Sequence, residues 1–301
     1  METLRIAIVA HDYPSPEDWH KGAFVQARAN LYERMGHQVA VWSRQYHQSV
    51  DSNYDVVAVH YPLPEYAIPV SDAFPKSTPK VAFLHGSEVI RLPREYKKFW
   101  WQWMNRGRVQ RFLRRCDAVV TCSRWMQKEI EAETGLRPQV IPNPVDPELF
   151  PLMEHTTERG LCLRGHHRKY GTDLIDGLPG IDILEPNYHR WELPELLGRY
   201  GFFVAPSRLE GQGLMACEAA ATGMPVLSTH VGGIPEFLDV GLHHLVLNVE
   251  TAYFIEEIQE LLGRLPLSGG MAKVIRHSVL NQCGPAVTVE KDIQLFKRLM
   301  G

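Results

Sequence analysis

The chain has 301 residues, of which 45% are hydrophobic and 22% charged, and its 32 basic and 35 acidic side chains leave a formal charge of −3. Such a composition excludes a disordered, collagen-like or coiled-coil chain and provides no overall field to hold a polyanion. At about 150 residues per domain, the length predicts two domains.

The chain opens on a short apolar run, Ile6–Ala10. It is too short for a signal-peptide core or a membrane span and reads as a buried first strand over Leu4–Ala10. Further strands are expected at Gln38–Trp42, Asp55–His60, Lys80–Leu84, Ala118–Cys122 and Gln139–Ile141. Between the first two strands, Ala23–Met35 has a helical pattern that Gly36 stops. Strands alternating with helices predict a parallel sheet with both faces covered.

A basic stretch follows the fourth strand. Residues 91–115 carry nine Lys and Arg against Glu95, a local charge of +8, so the remainder of the chain sums to −11. Phe99, Trp100, Trp103, Val109 and Phe112 recur at helical intervals within it. Three readings stay open: a sheet-covering helix with a solvated basic face, a peripheral contact with an anionic membrane, and a face for nucleic-acid phosphates.

Pro142, Pro144, Pro147 and Pro151 forbid a helix interior or a central strand in that span. We place the domain boundary there, with 1–143 as one domain and 144–285 as the other. A second alternation follows, with strands expected at Leu161–Leu163, Ile181–Leu184, Phe202–Ala205, Pro225–Ser228 and His244–Leu247. Helices are expected near Glu192–Arg199, Leu214–Thr222 and Tyr253–Leu262. The last stretch has a helical apolar stripe at Val287, Ile293, Phe296, Leu299 and Met300. Five cysteines form no C-x-x-C pattern, which suits reduced thiols in a cytoplasmic protein.

The chemistry concentrates after the Phe202–Ala205 strand. There Pro206-Ser-Arg-Leu-Glu-Gly-Gln-Gly-Leu214 turns from strand into helix, with Gly211 and Gly213 letting bare backbone approach a ligand. The free N–H groups of the new helix, which begins near Leu214, form an anion site suited to a diphosphate. Glu210 borders this site from the loop and Glu218 from within the helix. A carboxylate beside a phosphate is costly unless it serves neutral donors, and sugar hydroxyls are such donors.

Glu210 and Glu218 form an E-x7-E pair, followed by Gly223-Met-Pro-Val226 and Gly232-Gly-Ile-Pro-Glu236. Together these segments resemble the signature of the family 4 retaining glycosyltransferases of the GT-B fold. Other segments extend the likeness. Arg164 and Lys169 in Leu163–Asp173 are similar to the family's diphosphate-binding pair, with Tyr170 as one extra residue before Gly171. Gly22 resembles part of its donor-side glycine loop, Leu84–Glu88 its His-Gly segment, and Val140–Asp146 its interdomain linker. Only 28 residues separate Asp173 from Phe202, whereas the family carries an additional strand–helix unit there. The second domain is therefore expected to be a shortened one.

The resemblance implies an α/β architecture of two Rossmann-like, doubly wound parallel-sheet domains facing a central cleft. Residues 286–301 would pack back on the first domain, and the second would bind the nucleotide-sugar donor, a UDP- or GDP-sugar. It implies Glu210, His85, Arg164 and Lys169 as catalytic residues, and Glu218, Gly22, Gly211, Gly213 and Leu214 as donor-binding ones. Glu218 would take the ribose hydroxyls and Glu210 those of the transferred sugar. Arg164 and Lys169 would stabilise the leaving diphosphate, and His85 would stand where the acceptor approaches. No cofactor is implied, and no two of the twelve aspartates stand two apart, so no metal is expected and the two basic residues would replace one. The implied acceptor is a cell-surface or lipid-linked glycan, with DNA as an alternative. The expected location is cytoplasmic, and peripheral contact with a membrane through 91–115 stays one of the three open readings of that stretch. Rival readings are a catalytically silent nucleotide-sugar binding subunit and a GT-B epimerase or phosphorylase.

Overall fold

A computed structural model describes residues 2–15, 21–46, 53–86, 88–90, 99–163, 168–185, 188–238, 244–246, 251–263, 265 and 268–301. The chain divides into two units, Met1–Pro144 with Ala286–Gly301, and Val145–Pro285.

The first unit runs β1 (Arg5–Ala10), α1 (Ala23–Arg34), β2 (Gln38–Trp42), β3 (Val56–His60), α2 (Ala67–Asp72), β4 (Lys80–Leu84), α3 (Phe99–Leu113), β5 (Ala118–Thr121), α4 (Arg124–Thr134) and β6 (Gln139–Val140). Its strands pair in parallel in the order β2-β1-β3-β4-β5-β6. Both faces are buried. Ile6, Ile8, Ala58 and Phe83 pack on one side with Val25 and Ala29 of α1, while Ala7, Val9, Val57 and Ala82 pack on the other with Val109 of α3 and Ile130 of α4. Burial on both faces is why these strands read as nearly continuous apolar runs.

The second unit holds β7 (Gly160–Leu163), β8 (Ile181–Leu184), α5 (Leu193–Leu197), β9 (Phe202–Ala205), α6 (Leu214–Ala221), β10 (Val226–Thr229), β11 (His244–Val246), α7 (Thr251–Leu262) and α8 (Gly269–Cys283). Its parallel order is β11-β10-β9-β7-β8. Between Asp173 and β9 the described residues supply β8, a 3-10 turn at Arg190–Glu192 and the five-residue α5.

The final helix, α9 (Val289–Met300), belongs to the first unit. Val287 falls in a 3-10 turn before it, so Val289 opens the buried stripe that Ile293 and Phe296 continue. Asp292 lies in that stripe, fully buried, a position the apolar pattern does not reveal. A lone buried carboxylate would be strongly destabilising, and two α1 residues one turn apart meet it. Arg28 pairs with its Oδ2, and the Tyr32 hydroxyl donates to the same oxygen at 2.7 Å. Arg28 also donates to the carbonyl of Pro142 at 2.9 Å. One buried cluster thus ties together α1, α9 and the chain's exit from the sheet.

Part of the basic stretch has a structural use. Residues 91–98 and the side chains of 99–103, including Trp100 and Trp103, lie outside the described residues. Further along α3, Arg106 and Gln110 donate to the carbonyl of Glu133, and Arg114 to that of Thr134, at 2.6, 3.1 and 2.9 Å. These donors satisfy the exposed carbonyl end of α4 and complement its dipole. Among the described residues, no helix is long and apolar enough to cross a membrane.

Candidate functional site

In an open parallel sheet, ligands gather at the carboxyl ends of the strands where the strand order reverses. Each unit has one such switch point. In the second it lies between β7 and β9, because β8 flanks β7 on one side and β9 and β10 follow on the other. In the first it lies between β1 and β3.

At the second unit's switch point, the loop after β9 carries Glu210, Gly211 and Gly213. Gly213 has φ +77° and caps α6 without any side chain, and no acidic residue stands in the first turn. The amide N–H groups that open α6 are therefore not spent on a side-chain cap. Leu214 is the first residue of the helix and is partly buried. The Ser207 hydroxyl donates to Glu210 Oε1 at 2.9 Å, and Thr229 of β10 donates to the Ser207 carbonyl.

Backbone from both neighbouring loops braces this one. On the β10 side, Gly233 N–H donates to the Glu210 carbonyl at 3.2 Å. Gly232, at φ +57°, lies so close that a Cβ would penetrate that carbonyl oxygen. On the β7 side, Arg208 N–H donates to the Lys169 carbonyl at 2.8 Å. Gly171, at φ +66°, presses on the carbonyl of Pro206 in the same way. Close backbone approach with positive φ admits only glycine at 171 and 232. Lys169 is thereby held beside the Glu210 loop, its ammonium 5.5 Å from the centre of the Tyr170 ring. Arg208 forms a two-pronged pair with Asp173 at 2.6 and 2.8 Å. Arg164 lies outside the described residues.

Glu218 sits one turn inside α6 with its side chain 2% exposed, and Arg190, 14% exposed, pairs with its Oε1. Arg190 was not legible in the sequence. It comes from the 3-10 turn after β8, 28 residues upstream, and its guanidinium stands 5.5 Å from the Phe150 ring. A carboxylate offers about four acceptor positions, so the pair with Arg190 does not by itself saturate it.

At the first unit's switch point, Gly22 follows β1 in the left-handed region at φ +70° and packs on the backbone of Asp12 and Tyr13. His85 stands one residue beyond β4. Phe24 and Tyr61 flank its ring at centroid distances of 4.5 and 4.8 Å, and its backbone N–H donates to the Glu88 carboxylate. Tyr61 adopts φ +47°, alone among described non-glycine residues. Such an outlier costs free energy and clusters at functional sites. The sequence also concealed His60, the last residue of β3, whose Nδ1 lies 3.1 Å from His85 Nε2. Burial pushes both imidazoles well below the ordinary range, and repulsion from the Arg28 charge adds to it.

The sites of the two units thus gather Gly22, His60 and His85 in one, and Lys169, Glu210, Gly211, Gly213, Leu214 and Glu218 in the other. The second offers two carboxylates, an ammonium and a helix N-terminus on one loop system, and the first offers neutral imidazoles.

Comparison with known proteins finds a separate match in each half of the chain. Residues 5–149 match the family model described as Glycosyltransferase Family 4, and residues 158–264 match Glycosyl transferases group 1. An uncharacterized glycosyltransferase of Methanocaldococcus jannaschii is 24% identical over 221 residues, 64% of this chain and 60% of that protein. The chain therefore spans about 60% of the length of that relative. Among solved structures, sucrose-phosphate synthase from Thermosynechococcus elongatus superposes with a TM-score of 0.76 at 14% identity, covering 98% of this chain and 99% of that one. Anabaena HepE, solved with UDP and glucose, gives 0.72 at 14% identity over 98% and 100% of the two chains. The fold is that of the GT-B glycosyltransferases, and each half of the chain carries a glycosyltransferase-type domain.

Proposed function

From these two glycosyltransferase-type domains, we propose that the chain is a family 4 retaining glycosyltransferase that moves a sugar from a UDP- or GDP-sugar to an acceptor glycan or lipid-linked glycan. The observation that carries this reading is the pairing of Glu210 and Glu218 on one loop–helix junction at the second unit's switch point, beside Lys169. HepE, of the same fold, was solved with UDP and with UDP-glucose, which supports a nucleotide-sugar donor.

In this reading the opening N–H groups of α6 bind the diphosphate together with Lys169 and Arg164. The fixed N–H groups and cationic side chains stabilise the leaving nucleotide as the glycosidic bond stretches. They take the place of a metal ion. Glu218 accepts the ribose hydroxyls, with Arg190 holding its carboxylate in place. Glu210 accepts hydroxyls of the transferred sugar, and Ser207 fixes its orientation. In the first unit Gly22 gives backbone access to the donor, and His85 offers a neutral imidazole to the reacting sugars. Retention here uses no carboxylate nucleophile of the glycosidase kind. The phosphate oxygen, freed as the bond to the sugar breaks, takes the proton of the acceptor hydroxyl on the same face.

Glu218→Ala tests the donor assignment. Specific binding stabilises the native state, so the right nucleotide sugar raises the melting temperature of the unaltered chain. Removing the ribose carboxylate is expected to abolish that rise. An equal rise in the variant contradicts the ribose assignment. If no UDP- or GDP-sugar raises the melting temperature of the unaltered chain, the donor class itself is wrong.

A further inference from the structure

His60 and His85 form a pair whose geometry fixes more than a contact. Their ring planes lie within 10° of each other and their centroids are 5.3 Å apart. With the Nδ1 to Nε2 distance of 3.1 Å, that separation equals two ring radii plus one hydrogen bond, so the rings meet edge to edge and not face to face. One proton lies between two neutral imidazoles. Either His60 Nδ1 donates and His85 carries its own proton on Nδ1, or His85 Nε2 donates and His60 carries its own on Nε2.

The surroundings choose between these arrangements. His60 is fully buried, stacked on Phe83 at 4.5 Å, and its Nε2 has no hydrogen-bond partner. The second arrangement would seal an N–H in the interior with nothing to accept it, which folded proteins rarely tolerate. The first leaves only a lone pair there. It moves the unsatisfied donor to His85 Nδ1, which is itself buried and without a partner but belongs to a half-buried residue at the carboxyl edge of the sheet beyond β4, where a ligand entering the switch point would be its acceptor. Among the described residues, the charged groups near the pair are Arg28, 4.8 Å from the Phe83 centroid, and Glu88, which accepts from the His85 backbone N–H.

We propose that His60 is the positioning residue that holds His85 as the neutral Nδ1–H tautomer, making His85 a hydrogen-bond donor toward a ligand oxygen at the first unit's switch point. This rests on the glycosyltransferase reading only for the identity of that oxygen, a sugar hydroxyl. The tautomer itself is independent of the reading. The free imidazole favours the opposite tautomer slightly, so His60 does measurable work on the equilibrium.

The test is long-range 1H–15N correlation of the ¹⁵N-histidine-labelled full chain, with the His85 signals identified by their loss in His85→Gln. The expected pattern is a neutral ring protonated on Nδ1 that does not change between pH 8 and pH 6. His60→Asn, which can keep an N–H donor where Nδ1 stood, retains the pattern. His60→Leu removes the donor, and His85 shifts toward the Nε2–H form. A His85 protonated on Nε2 in the unaltered chain overturns the proposal, as does an unchanged tautomer in folded His60→Leu. Should His60→Leu not fold, the unaltered chain and His60→Asn still decide the matter. With a donor in hand, His60→Leu lowers kcat at least about tenfold with little change in donor KM, and His60→Asn restores it. A uniform loss that His60→Asn does not restore contradicts a positioning role. Failure of every donor leaves the spectroscopic result intact and counts against the glycosyltransferase reading alone.

Discussion

Replacing Gly232 by Ala would separate the packing of the donor loop from the stability of the chain. The added Cβ meets the Glu210 carbonyl well inside the 3.0 Å limit of real contacts, and ordinary contact begins at 3.4 Å. The Glu210 loop must therefore withdraw by about 1.5 Å, and a misplacement of about 1 Å costs a catalytic group about 100-fold. Positive φ adds a backbone cost of about 1–2 kcal/mol. Gly36→Ala is the control, because Gly36 has φ +87° but open space around its missing Cβ. Both variants lower the midpoint of urea unfolding through backbone strain, and only Gly232→Ala loses about 100-fold in kcat/KM for donor turnover. If Gly232→Ala turned over donor as fast as Gly36→Ala, the brace between the β10 loop and Glu210 would have no bearing on the site.

Two further outcomes follow from the buried polar groups of the first unit. Arg28→Met leaves the Asp292 carboxylate buried with Tyr32 and should destabilise by about 3–5 kcal/mol in urea unfolding, while Arg28→Met/Asp292→Leu should lose less. A double variant weaker than Arg28→Met would mean that the pair is not what burdens the core. His60 and His85 are both held well below their ordinary value of 6.5 by burial, with Arg28 repulsion adding to it. Below that pH the unfolded chain binds protons that the native chain refuses. Stability is therefore full above about pH 6.5 and falls with pH, by up to about 1.4 kcal/mol per pH unit for each histidine. His37 and His155, also lowered by burial, contribute in the same sense. His60→Gln should flatten the fall measured between pH 6.5 and pH 5, and an unchanged slope would show that His60 titrates normally in the native chain.

The parallel architecture was legible because strands buried on both faces are written as unbroken apolar runs, such as Val56–Val59 and Val81–Leu84. The Glu210 loop was legible because its glycines and its two glutamates fall within one short segment. What escaped detection depends on contacts distant in sequence. His60 ends a strand and reads as one more residue of its pattern until β4 brings His85 beside it. Arg190 acquires meaning only when the turn after β8 meets Glu218. Asp292 interrupts the apolar stripe of α9, and its partners lie 260 and 264 residues away. α4 and α8 bury narrow stripes, Met126 and Ile130 in one and Ile275, Val279 and Cys283 in the other, which leave few apolar positions from which to read a helix. Their local signals were the serine caps at Ser123 and Ser268.

The central claim, that this chain transfers a sugar from a nucleotide diphosphate with retention, is tested most directly by time-resolved proton NMR of the chain with a panel of UDP- and GDP-sugars. Even without an added acceptor, slow transfer to water should release nucleoside diphosphate from at least one donor. The first-formed free sugar should carry the donor's own anomeric configuration before mutarotation. A first product of opposite configuration, or no nucleoside diphosphate released from any donor with or without added glycan acceptors, would contradict the account.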